Sequence, residues 1–150
     1  MPTEKKKSSP EPVPPLSPAL AAKAISHFMH RKPISVTPST TIRTAMKTML
    51  THNISGLVVV NAAFACLGIY SEFDAMLQGS AEDLDRPIKF SKPPHVVTQN
   101  TSFKEALVAL VKKRVKRLPV LDARKRVVGI ISRQDFMKAI FEDQANEKAK

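Results

Sequence analysis

The chain repeats itself. A shift of 61 residues lays positions 34–77 on 95–138 without a gap, and 12 of those 44 pairs are identical. Among them are Ala45 with Ala106, Leu57 with Leu118, Gly68-Ile69 with Gly129-Ile130, Ser71 with Ser132 and Asp74 with Asp135. Chance pairing at ordinary composition would give about three. Pro33 and Pro94 extend the match one step upstream. A duplicated unit of this size restricts the fold more than composition does. The same substructure must form twice, and neither copy is long enough to cover its own sheet.

Both copies read alike. An extended stretch (34–37; 95–98) precedes an amphipathic helix with apolar positions Ile42, Ala45, Met46, Met49 and Leu50, or Phe103, Ala106, Leu107, Leu110 and Val111. Spacing at i, i+3, i+4, i+7 and i+8 puts each set on one helical face. Two strands rich in β-branched residues follow (57–60 with 66–70; 118–121 with 127–131), separated by five residues, which suits a hairpin. A second helix closes each unit, 72–77 and 133–141. The expected fold class is α/β of the α+β type: two β-α-β-β-α repeats packed about a pseudo-twofold axis. The expected divisions are a disordered tail 1–23, repeats 24–80 and 81–141, and a C-terminal tail 142–150.

Six of the twelve prolines lie in residues 1–18, which is why that segment reads as disordered. It carries lysines but no apolar core of a secretory signal. No apolar run approaches the ~18 residues of a membrane span. A single cysteine, Cys66, excludes an internal disulfide and a multi-cysteine zinc site. Four glycines form no phosphate loop. The cytoplasm is the expected compartment. The net charge is +11, of which residues 96–138 supply +8, so the second half attracts an acidic partner or ligand.

The strand-to-helix signatures Gly68-Ile69-Tyr70-Ser71-Glu72-Phe73-Asp74 and Gly129-Ile130-Ile131-Ser132-Arg133-Gln134-Asp135, with Pro33 and the stretch Arg117-Leu118-Pro119-Val120, resemble a tandem pair of CBS domains, often called a Bateman module. The resemblance covers about residues 25–141. It implies an adenosyl ligand such as AMP, ADP or ATP in two clefts between the repeats, and no classical cofactor. By resemblance, Ser71 and Asp74 serve one cleft and Ser132 and Asp135 the other. Walls come from Val36, Ile54 and Leu57, and from Val97, Val115 and Pro119, with His95 a further ligand-binding candidate. One reading of the basic run places Lys116 or Arg117 at the mouth of the second cleft, meeting a polyphosphate. A carboxylate accepts two hydrogen bonds from a ribose cis-diol, and a helix N-terminus favours phosphate. Arg133 beside Ser132, against Glu72 beside Ser71, makes the second cleft the better expected site for an anion. The first hairpin lacks a turn glycine, which puts its geometry in question.

Each sharp reading has a plain one beside it. Ser-x-x-Asp after a strand is also a capping box. The run Lys112-Lys113-Arg114-Val115-Lys116-Arg117 reads as a solvated helix end, a phosphate contact or a nucleic-acid patch. His27 and His30 lack partners for a metal site. Met46, Met49 and Met76 read as core. No catalytic constellation is visible, so the chain is expected not to be an enzyme. It reads as a stand-alone regulatory module, expected to form a homodimer and to act on an effector protein. The rival readings are an adaptor for nucleic acid or an acidic partner, and a purely structural dimerisation module.

Overall fold

The computed structural model describes residues 15–149 except 82 and 94. Helix α1 (Pro18–Ala22) and a 3-10 turn (Ile25–His27) lead into β1 (His30–Arg31). The first repeat comprises β2 (Ser35–Val36), α2 (Ile42–His52), β3 (Gly56–Val60), β4 (Cys66–Ser71) and α3 (Glu72–Ala81). The second comprises β5 (Val97–Thr98), α4 (Phe103–Lys113), β6 (Arg117–Leu121), β7 (Val127–Ser132) and α5 (Arg133–Ala149). In each repeat a parallel pair and an antiparallel hairpin make a small sheet, ordered β2-β3-β4 or β5-β6-β7, and β1 adds to the second. This is the mixed α+β architecture expected from the repeat.

The local signals repeat with the sequence. Thr41 and Ser102 accept from the backbone N–H three residues on and so cap α2 and α4. Both helices end on a left-handed residue, Asn53 and Arg114. The hairpins turn through a second left-handed pair, Phe64 and Lys125. In the first, Asn61 Oδ1 accepts from the N–H groups of Ala63 and Ala65; in the second, Asp122 Oδ1 accepts from Arg124 and Arg126. The same side-chain turn therefore forms without glycine, because asparagine and aspartate offer the same acceptor. The missing glycine leaves the first hairpin's shape unchanged.

What the repeat did not reveal is that the leading segments are exchanged. Residues ahead of β2 cover the second sheet: β1 pairs with β7, and Leu20, Ile25 and Met29 join the core of Phe103, Leu107, Leu118, Ile131 and Phe136. The linker before the second repeat covers the first: Ser91 bridges Ile69, and Ile88 enters the core of Ile42, Leu57 and Tyr70. His30 opposite Ile130 and Ser91 opposite Ile69 are the same contact one repeat apart. This explains the glycine of each signature. A Cβ at Gly129 would stand 2.9 Å from the His30 carbonyl oxygen, and one at Gly68 would stand 2.5 Å from that of Ser91. Only glycine admits a backbone that close. The two halves meet through Val58, Val60 and Val127, and at the hairpin tips, where the Val127 N–H donates to the Phe64 carbonyl at 2.8 Å.

Four expectations need correction here. Residues 1–14 of the expected tail lie outside the described residues, but 18–22 are helical rather than disordered. Pro18 sits in the first turn, where its missing N–H costs nothing, Ser17 caps the turn, and Leu20 is buried. The expected C-terminal tail continues α5 to Ala149, since 142–149 contain neither glycine nor proline; residue 150 lies outside the description. Ser17 Oγ donates to Asp143 Oδ1 at 2.7 Å and ties the two ends together. Leu50 and Val111, assigned to the core faces, are exposed, because the sheet covers only the nearer part of each helical stripe. Met76 is exposed as well.

The leading helix has a measurable consequence. A chain beginning at residue 16 keeps the cap and Leu20 and should unfold in urea as the full chain does. One beginning at Lys23 loses the buried leucine, and should be less stable by about 1.5–3 kcal/mol. Equal stability of the two truncations would show that α1 contributes nothing.

Candidate functional site

The two signatures turn from strand into helix in the same way. In the first, Asp74 Oδ2 accepts from the Ser71 N–H at 3.0 Å and from Ser71 Oγ at 2.9 Å, and the Asp74 N–H donates to Ser71 Oγ at 3.1 Å. In the second, Asp135 Oδ2 accepts from the Ser132 N–H at 2.8 Å and from Ser132 Oγ at 3.1 Å. The reciprocal cap is complete in the first copy, its carboxylate half forms in the second, and in both the carboxylate uses Oδ2 alone. The other oxygen of Asp135, Oδ1, lies 2.9 Å from His30 Nε2. That histidine comes from the exchanged leading strand and its side chain is 70% exposed, so turning it away from the carboxylate would disturb no packing.

The helix N-termini offer less to an anion than the sequence reading assumed. The Glu72 N–H is spent on the Ser55 carbonyl and the Arg133 N–H on that of Lys116, each at 3.0 Å. The Asp74 N–H is spent on its cap. The cationic groups near these N-termini are side chains: Lys116, Arg117, Arg31 and Lys32.

Two cavities flank the pseudo-axis. The first, about 580 Å³, is lined by Ile69, Ser71, Glu72 and Met76 of the first repeat and by Val115, Lys116 and Arg117 of the second. The second, about 500 Å³, is lined by Ile130, Ser132 and Gln134 of the second repeat and by Ile34, Ile54, Ser55 and Gly56 of the first, with His30, Arg31 and Lys32 from the leading strand. Both lie in the range of small-ligand sites, about 300–1,000 Å³. Each combines the signature of one repeat with the helix-to-strand corner of the other.

This crossing corrects the expected grouping. Val115 and Lys116 face Ser71 rather than Ser132, Ile54 faces Ser132 rather than Ser71, and Arg117 faces both. The reason is topological: within a repeat, the corner before the first hairpin strand and the corner after the second adjoin at the sheet end, which meets the other repeat. Val36, Leu57, Val97 and Pro119 line neither cavity, because their side chains are buried beneath the helices. His95 is half-buried and lines neither. Arg133 is exposed and lines a separate groove with Leu107, Leu110, Met137 and Phe141. It gives the second cleft no wall and acts on it only through its charge on Arg117. Glu72 lines both cavities and pairs with Lys116 at 3.8 Å.

At the centre stands Arg117, which the sequence singled out for one cleft and which lines both. Its guanidinium donates to Ser55 Oγ. Burial holds it below the usual arginine range, Glu72 opposes that shift and Arg133 adds to it. Arg31 and Lys32, which also line the second cleft, were missed at the sequence level. Only the exchange of the leading strand brings them there.

The model of the CBS domain matches residues 24–78 and 83–142. The chain belongs to the CBS-domain family. Its two CBS repeats resemble, in sequence, the inosine-5'-monophosphate dehydrogenase of Methanocaldococcus jannaschii, which is 32% identical over 120 residues, covering 79% of this chain and 24% of that enzyme. The chain thus spans about a quarter of that relative. In structure the pair is similar to CBSX2 in complex with AMP, at 23% identity and a TM-score of 0.69 over 81% of this chain and 98% of that one. It is also similar to the CBS domain pair of protein MJ0100 in complex with 5'-methylthioadenosine and S-adenosyl-L-methionine, at 20% identity and a TM-score of 0.73, with the same coverage. Among the described residues, no helix is long and apolar enough to cross a membrane, and no group of three or more His, Cys, Asp or Glu could hold a metal ion.

Proposed function

We propose that this CBS pair is a regulatory module that binds an adenine nucleotide or related adenosyl ligand between its repeats. One observation carries the reading: each cavity joins the signature serine of one repeat, with its aspartate hydrogen-bonded directly behind it, to the apolar corner of the other. A ribose that hydrogen-bonds to Asp135, with its base against Ile34 and Ile54, would hold the two repeats together. Ligand then favours one relative arrangement of the halves, and whatever reads that arrangement receives the signal. Binding of AMP and of S-adenosyl-L-methionine by the similar pairs supports the ligand class. The cations Lys116 and Arg117 in one cleft, and Arg31, Lys32 and Arg117 in the other, suit a phosphate or another anion.

The output needs a surface. Phe73, Met76 and Leu77 on α3, and Met137 and Phe141 on α5, are exposed at corresponding ends of the two repeats. Apolar groups of this size gathered on helical faces suit a second copy of the chain, and the homodimer is the assembly we propose.

A melting experiment tests the ligand. AMP, ADP, ATP, adenosine and S-adenosylmethionine are added in turn. A ligand at 100 times its dissociation constant adds about 2.7 kcal/mol per site, which is a shift of several degrees for a chain of this size. A melting curve unmoved by the whole panel would overturn the proposal and leave a structural module.

A further inference from the structure

The repeat exchanges residue 117 with residue 56, and the two are not alike: one is arginine and the other glycine. In the structure they touch. The Arg117 guanidinium occupies the space that a Cβ at Gly56 would need. A side chain in contact with its own pseudo-symmetric position stands at the axis itself. The operation that exchanges 117 with 56 also exchanges the two cavities, and Arg117 lines both. Ile54 and Val115 are one such pair, one for each cleft, but the central guanidinium occurs once. A second arginine at 56 would collide with it and set two like charges in contact.

We propose that Arg117 is a single anchor for anionic ligands shared by the two clefts, so that a phosphorylated ligand in one cleft weakens binding of another in the second. This rests on reading the clefts as nucleotide sites. Arginine stays charged even when half-buried, so the group is available to a phosphate from either side. Its fork cannot serve two phosphates at full strength, and two phosphates drawn to one axis repel each other. The coupling is reciprocal, as linkage requires: whichever cleft fills first handicaps the other. An uncharged nucleoside makes no demand on the guanidinium and fills both clefts independently.

Calorimetric titration of the full chain with AMP and with adenosine tests this, on the wild type and on Asp74→Ala and Asp135→Ala, each of which removes the proposed ribose acceptor of one cleft. Adenosine should fill both wild-type clefts with similar constants. AMP should bind once tightly and a second time at least about tenfold more weakly, the worth of one charged contact. Each single-cleft variant should bind one AMP with the tight constant, since its remaining cleft has Arg117 to itself. In Arg117→Gln the two AMP constants should converge. Two equal AMP sites in the wild type would overturn the inference while leaving the nucleotide sites in place. So would a tight AMP site that survives in only one of the aspartate variants, because the clefts would then differ intrinsically. If neither AMP nor adenosine binds, the reading of the clefts fails, and the sharing with it.

Discussion

Asp135→Ala should abolish adenosine binding at the second cleft and leave the first intact. The carboxylate has two tasks, divided between its oxygens. Oδ2 closes the turn onto Ser132, and Oδ1 pairs with His30, which lines the cleft. Loss of the cap alone costs on the order of 0.5–2 kcal/mol of stability and does not touch affinity. Loss of a charged acceptor for two ribose hydroxyls removes about 1.5–3 kcal/mol per bond, so affinity should fall by about a hundredfold or more. Adenosine is the right probe because it leaves Arg117 out of the comparison. Calorimetry should show two adenosines per wild-type chain and one per variant chain. A variant that is less stable yet still binds two would reduce Asp135 to a cap. Asp74→Ala should mirror the result at the first cleft, since Glu72 is drawn toward Lys116 and lines both cavities.

Phe103→Ala should be among the most damaging core substitutions, at about 3–5 kcal/mol. Its ring is fully buried and stands edge-on to two others, Phe28 and Phe136, each 5.1 Å away between centroids. Those partners come from the leading segment and from α5, so one side chain joins the exchanged segment to the repeat it covers. A total stability of about 5–15 kcal/mol makes that loss a large fraction. Urea unfolding followed by circular dichroism reads it. Leu50→Ala on the exposed side of α2 is the control, expected within about 0.5 kcal/mol of the wild type. A Phe103→Ala loss below about 1 kcal/mol would mean that the leading segment holds without the aromatic contact.

The strands, the helices and their order were legible because each rests on local periodicity, and the duplication stated every signal twice. The capping threonine and serine, the left-handed corners and the side-chain turns all act within four residues of chain. Serine and aspartate in the two signatures were legible for the same reason, together with their capping role. The grouping of the site was not. Nothing local tells Ile54 that it will face Ser132, or Lys116 that it will face Ser71. That is set by how the two sheet ends abut, a relation between residues more than 40 positions apart. The leading segment shows the same division. Leu20, Ile25 and Met29 are apolar wherever they pack, but only the packed structure decides that they cover the second repeat and bring His30, Arg31 and Lys32 to its cleft. Arg117 is the sharpest case. In the sequence it is one cation in a basic run; its place on the axis depends on a glycine 61 residues away. Periodicity along one chain determines elements and their faces, whereas a position on a symmetry axis exists only once two copies have packed.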